Sequence, residues 1–189
     1  MKSFSLLVLP ALLLAADTAV EIAPSQAQVA FTLSDVLHTV HGTFGLKRGK
    51  LRFDPESGKA SGEIVVDAAS GESGSPGRDK RMHANILESA RFPEIVFRPD
   101  RIEGRIAPEG ASEGVLHGVF SIHGGDHEIS VPVHVEAGAG HYTATAHFEI
   151  PYVKWGMKNP STLFLRVSDK VQIDVRVVAE TPVSVSVQR

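Results

Sequence analysis

From Ala27 to Val178 apolar and polar residues alternate almost one by one, the period of a half-buried β-strand and not of a helix. In "AQVAFTL" Ala27, Val29, Phe31 and Leu33 share one strand face. "TVHGTFGL" sets Val40, Gly42, Phe44 and Leu46 together, and "KLRF" pairs Leu51 with Phe53. Pro55 and Gly58 punctuate the turn "FDPESGK", after which Ile64, Val66 and Ala68 alternate with Glu63, Val65 and Asp67. A strand around Ile95 and Phe97 follows, then two arms that read as a hairpin turning near Gly125–Asp126. Leu116, Phe120 and Ile122 share a face on the first arm; Ile129, Val131, Val133 and Val135 share one on the second. "HYTATAHFEI" puts Tyr142, Ala144, Ala146, Phe148 and Ile150 opposite His141, Thr143, Thr145, His147 and Glu149. "KVQIDVRVV" completes about eight strands of antiparallel character.

One stretch breaks the pattern. "SPGRDKRMHANILESARFP" places Ser75 at an N-cap and Pro76 in a first helical turn, with Met82, Ile86 and Leu87 on one face and Pro93 as the stop. The fold class is therefore all-β with one short α-helix. Each strand has a dry and a wet face, which a two-sheet sandwich and a closed barrel satisfy equally. The dry faces mix large residues (Phe31, Phe44, Phe97, Phe120, Phe148) with small ones (Gly42, Ala68, Ala144, Ala146). In a sandwich the facing sheet fills the small positions. In a barrel of about eight strands the same mixture leaves a cavity, and the helix is either a lid over it or a plug in the core.

The chain has 189 residues, enough for a single core, and no linker or internal repeat divides it. A net charge of -3 without a basic block argues against a nucleic-acid surface. "MKSFSLLVLPALLLAA" has one lysine, a short apolar run and small residues, the make-up of a secretory signal peptide over residues 1–16. The alternative is an uncleaved anchor. No other run approaches a membrane span, so the mature domain, residues 17–180 with a tail over 181–189, is expected to be exported to the periplasm. The absence of cysteine excludes a disulfide, thiolate chemistry and a lipoprotein anchor.

Nine histidines raise the question of a metal. His38 and His41 are three apart and point to opposite strand faces, while His117 and His123 stand roughly 20 Å apart along one face. His123 with His127 flank the predicted turn, and His141 with His147 share a polar face, but no carboxylate at ligand spacing strengthens either pair. No "GxSxG", "HExxH" or glycine-rich phosphate loop occurs, so no catalytic residue is assigned and no enzyme is expected. Arg78 and Asp79 read either as a polar contact at a cavity mouth or as an ion pair fixing the loop to the helix. Trp155 and Met157 read as a cavity end or as core.

The run "VAFTL…HTVHGTFGLKRGKLRFDP…GEIVVDAAS…GRDKRMHANILESARFPEIVF", with "GVFSIHGGDHEISVPV" and "WGM…VQIDVRV", resembles the YceI-like family of exported proteins over nearly the whole mature chain. Its most specific parts are Arg78–Asp79, the helix after them, Phe92–Pro93 and the segment Gly118 to Val133. The resemblance implies an eight-stranded antiparallel lipocalin-like β-barrel with the helix beside the mouth of an apolar pore for a polyisoprenoid or other long-chain lipid. It implies a small-molecule lipid as partner, no cofactor beyond that ligand, and non-catalytic binding that serves transport or storage; pairing into a homodimer stays open. Wall residues are then Phe31, Leu33, Phe44, Met82, Ile86, Phe97, Phe120, Phe148 and Trp155. Many members carry a His-Ser pair entering the first long strand and a histidine at its far end, where this chain has Gln26–Ala27 and Asp35. The second reading is a structural or histidine-based metal-binding β-domain with a packed core.

Overall fold

The computed structural model describes residues 18–34, 38–138, 140–162 and 166–180. The segment 1–16 read as a leader, Asp35 and the tail from residue 181 lie outside the described residues. Ten strands follow one another: β1 (Thr18–Ile22), β2 (Ala27–Ser34), β3 (Thr39–Phe44), β4 (Leu46–Phe53), β5 (Ala60–Asp67), β6 (Glu94–Glu103), β7 (Gly110–Ile122), β8 (Gly125–Gly138), β9 (His141–Ile150) and β10 (Val171–Glu180). Helix α1 (Pro76–Arg81) runs into a single π-helical turn, Met82–Ile86.

Two pairs of these strands are halves of longer ones. A short 3-10 turn, Pro24–Gln26, separates β1 from β2, because Pro24 has no N–H for a ladder. Gly45 separates β3 from β4; its N–H donates to Ser70 Oγ at 2.7 Å. The wall thus consists of eight long strands. All pair antiparallel in the order β1-β4-β5-β6-β7-β8-β9-β10-β2-β3, and β10 also meets β1 at Glu180 and Glu21, which closes the sheet on itself. The outcome is a closed eight-stranded antiparallel barrel, not a sandwich.

The register explains a parity change in the sequence. Val40, Gly42 and Phe44 face in on even numbers, but the inward residues of β4 beyond Leu46 are Gly49, Leu51 and Phe53. A bulge between Leu46 and Arg48 inserts the extra residue that keeps both runs on the dry side. A second bulge between Pro99 and Arg101 does the same in β6, so that Phe97 and Ile102 both face in.

Two details depart from the sequence reading. The β7–β8 turn is His123–Gly124, not Gly125–Asp126: both central residues are left-handed (φ 51 and 77), and Gly125 already opens β8. Ser75 occupies the N-cap position, but its side chain makes no capping bond. The strand β1 goes beyond the reading, whose first strand began at Ala27.

The β2–β3, β5–β6, β7–β8 and β9–β10 connections leave the same end of the barrel, which carries α1. At that end Leu46, Val66, Leu87, Ile95, Ile122, Ile150, Tyr152 and Met157 form a buried cluster. At the far end Ile106 packs with Val131, Val133 and Val135, and Phe53 meets Tyr142 edge-on at 6.1 Å.

Candidate binding site

Strand pairing turns the inward residues into continuous belts. Gly49 lies opposite Ile64, Ile64 opposite Phe97, Phe97 opposite Phe120, and Phe120 opposite His127. On the other side of the bore Phe148 lies opposite Ile173, Ile173 opposite Phe31, and Phe31 opposite Gly42. Aromatic contacts tie the belts together: Phe120 stands 6.4 Å from Phe148 and 5.9 Å from Trp155, and Phe31 stands 5.3 Å from Phe44.

Burial is uneven along the axis. Met157 and Tyr152 at the helix end are 3 % and 5 % exposed, and Val135, Val177 and Ala179 toward the far end are equally buried. Between them Val29, Ile64, Phe97, Ala146, Phe148, Ile173 and Val175 point inward yet are only half-buried. Most of these residues pack against the buried cluster without reaching its degree of burial. Ala146 sets a small side chain between Val133 and Val175.

The helix end is built around glycine. A Cβ on Gly42 would come within 2.3 Å of the Phe31 ring, and one on Gly71 within 2.4 Å of Phe44 and 2.9 Å of the Met82 methyl. Both glycines therefore make room for the aromatic pair at the rim. Thr43 and Glu72 exchange backbone hydrogen bonds of 2.9 and 3.0 Å, which stitches the helix-bearing crossover to β3. Arg78 and Asp79 fix the same loop. The Asp79 carboxylate accepts from Ser73 N at 2.9 Å and from Ser73 Oγ, while Arg78 Nη2 donates to Ser73 O at 2.9 Å. These bonds hold the Asp79 carboxyl below the usual carboxylate range. The pair is a loop clamp.

Each wall residue read from the sequence can now be placed. Phe31, Phe44, Phe97, Phe120 and Phe148 face the bore; Leu33 is half-buried on the same face of β2, toward the rim. Met82 and Ile86 come from the π-turn and pack against the helix-end cluster as half-buried residues. The turn widens by one residue there, with Leu87 N donating to Met82 O at 2.9 Å, which brings Met82 and Leu87 to the same cluster. Trp155 sits on the β9–β10 connection, which Tyr152 anchors by donating its hydroxyl to Ser168 O at 2.7 Å. Burial pushes the Tyr152 phenol up to about 12.

The sequence reading paired His127 with His123 beside the turn and did not assign it to the inward face. It shares the parity of Ile129 and Val131, so it points inward, stacked on Trp155 at 4.0 Å with rings 4° from parallel. Its Nε2 is buried without a hydrogen-bond partner, and burial lowers its pKa. It does not converge with His123, which lies in the turn against Phe92 at 4.8 Å. The remaining strand histidines are on the outside. His134 Nδ1 donates to Glu113 at 2.6 Å and His147 Nδ1 to Asp174 at 2.7 Å, beside a groove of about 470 Å³. These partners are on β7 and β10, on opposite sides of the β8–β9 pair, so the imidazoles lean apart. Among the described residues no cluster of three or more histidines and carboxylates could hold a metal ion.

Comparison with known proteins agrees with this architecture. The family model of the YceI-like domain matches residues 21–179. No curated protein matches the chain in sequence. Among solved structures, the BcnA protein of Burkholderia cenocepacia superposes with a TM-score of 0.69 at 18% identity, over 83% of this chain and 98% of its own. A polyisoprenoid binding domain from Saccharophagus degradans, implicated in plant cell wall breakdown, gives 0.65 at 15% identity, over 87% and 99%. The YceI protein of Campylobacter jejuni gives 0.57 at 16% identity, over 96% and 99%.

Proposed function

The chain belongs to the YceI-like domain family, and from that membership together with its half-buried apolar bore we propose that it binds one long apolar chain, of isoprenoid or related lipid class, along the barrel axis. The observation that carries the proposal is the set of inward residues that stay accessible in mid-barrel. The name of the Saccharophagus relative supports the ligand class.

The size suits such a ligand. The ten residues of β9 span roughly 34 Å at 3.4 Å per residue, which a strand tilt of about 40° reduces to roughly 26 Å of axis. Each methylene transferred from water to the wall contributes about 0.8 kcal/mol, so ten or more carbons outweigh the cost of association. Affinity is spread over Phe31, Leu33, Phe44, Phe97, Phe120 and Phe148, with Met82, Ile86 and Trp155 at the helix end. The role is non-catalytic, transport or storage of the lipid. The leader over residues 1–16 directs the domain to the periplasm, where a greasy chain needs a water-soluble carrier.

Titrating lipid-stripped protein with polyprenols of increasing length, read by the emission of Trp155, tests this. Affinity rises with each isoprene unit until the bore is full, and Phe120→Asp abolishes retention. Affinity independent of length, or full retention by a folded Phe120→Asp variant, contradicts the proposal.

A further inference from the structure

The charges of this barrel are sorted along its axis. At the helix end, Lys80 and Arg81 on α1 and Lys154, Lys158 and Arg166 on the β9–β10 connection are exposed. Among the described residues none of these five cations has an ion-pair partner. The carboxylates near them are mostly engaged: Asp79 holds Ser73, and Glu88 lies 3.9 Å from Arg91 and 3.6 Å from His123. At the flanking strand ends Asp67 accepts from Ala69 N, Asp126 accepts from Ser121 Oγ, and Glu94 and Glu149 pair with Lys47 and Lys170, so that Glu72, Glu128 and Asp169 are the remaining counter-charges. The far end is net acidic, with Glu21, Glu56, Asp100, Glu103, Glu109, Glu113, Glu136 and Glu180 exposed around Lys50, Arg52, Lys59, Arg101 and Arg105. A chain with a net charge of -3 thus presents a group of exposed cations without ion-pair partners among the described residues at one end.

These cations stand beside partly exposed apolar side chains. Val153 and Trp155, both half-buried, flank Lys154 in a tight turn closed by Gly156 N donating to Val153 O at 3.1 Å. Aromatic and aliphatic side chains interleaved with lysine suit a headgroup region, where rings settle at the interface and cations face anionic lipid. The Phe31–Phe44 pair and the Met82 turn lie at the same end.

We propose that the helix end, Lys80 and Arg81 with Lys154 and Lys158 around Trp155, is a docking surface for an anionic phospholipid bilayer, set so that the barrel mouth faces the membrane and the acidic end is held away. The inference rests on the reading of the bore as a lipid site and adds where its cargo is loaded and delivered. Docking is electrostatic and reversible, since the apolar area offered is small and α1 is too short to insert. It therefore weakens as salt shortens the range of the charges.

Vesicle sedimentation of the purified chain tests this, with phosphatidylcholine vesicles compared with vesicles containing one third phosphatidylglycerol. Each cation near an anionic surface changes partitioning by roughly fivefold. The combined variant Lys80→Gln, Arg81→Gln, Lys154→Gln and Lys158→Gln accordingly loses more than about a hundredfold in binding to anionic vesicles. Lys59→Gln with Arg105→Gln at the other end changes nothing, and Trp155 emission shifts to the blue only with the anionic vesicles. Equal binding to both vesicle types, or undiminished binding by the fourfold variant, overturns the proposal. Cargo retention measured on the same preparations separates this from the bore reading: a fourfold variant that keeps its lipid but leaves the membrane supports docking, and an empty wild-type barrel that still docks counts against the bore alone.

Discussion

Replacing Ala146 by leucine has opposite signs for a hollow barrel and a filled one. Ala146 faces in from β9, paired with Val175 of β10 and Val133 of β8, and Val29 of β2 lies beyond Val175. Ala146, Val175 and Val29 are all only half-buried. Leucine adds three carbons. If they enter an internal space, burial at about 0.8 kcal/mol per carbon contributes about 2.4 kcal/mol. Freezing the side chain costs about 0.5–1 kcal/mol, so the lipid-free protein gains roughly 1.5 kcal/mol. In a flush core the same change overpacks and costs about 1–3 kcal/mol. Urea unfolding of exhaustively delipidated protein reads the difference, since bound ligand would otherwise stabilise the wild type by mass action. The account predicts a higher midpoint with unchanged slope, together with weaker uptake of polyprenol. A lower midpoint refutes the hollow.

The glycine at the rim and the outer histidines give two further tests. Gly42→Ala sets a Cβ 2.3 Å from both the Phe31 ring and Glu72 O and is expected to destabilise by about 1–3 kcal/mol in urea unfolding. Gly77→Ala in α1, with nothing within 4 Å of its Cβ, is the control and should gain about 0.5–1 kcal/mol. A neutral Gly42→Ala would mean that the Phe31–Phe44 pair is mobile. For His134, the Glu113 carboxylate that accepts its Nδ1–H raises the pKa above the ordinary 6.5. The folded state then binds the proton more tightly than the unfolded chain. The stabilisation is full below the unfolded value and is lost as pH rises through the folded one. The stability difference between wild type and His134→Asn should shrink with rising pH; a difference that grows with pH contradicts the assignment.

Much of the barrel was legible because alternation is a direct record of which side of the wall is dry. The parity shift from Phe44 and Leu46 to Gly49 and Leu51 even encodes the bulge. Closure was not legible. The pairing of β10 with both halves of the first long strand leaves the same alternation that a sandwich would. The strand β1 escaped notice because five residues followed by Pro24 give a weak period. Whether inward side chains meet across the axis is recorded by no local pattern. His127 was within reach, two residues before Ile129 on the same face, but a histidine beside a turn drew a surface interpretation. The polarity of charge was hidden for another reason: Lys80 and Lys154 are far apart in sequence, and only the shared end of the β5–β6 and β9–β10 connections brings them together.

Native mass spectrometry of the protein purified gently from its own source weighs the occupied bore directly. The account predicts one added mass per barrel, released on collision and identified as a single long-chain isoprenoid or related lipid. A bare polypeptide mass from every gentle preparation, with no uptake on incubation with polyprenol, would mean that the inward surface is an unfilled core and not a site.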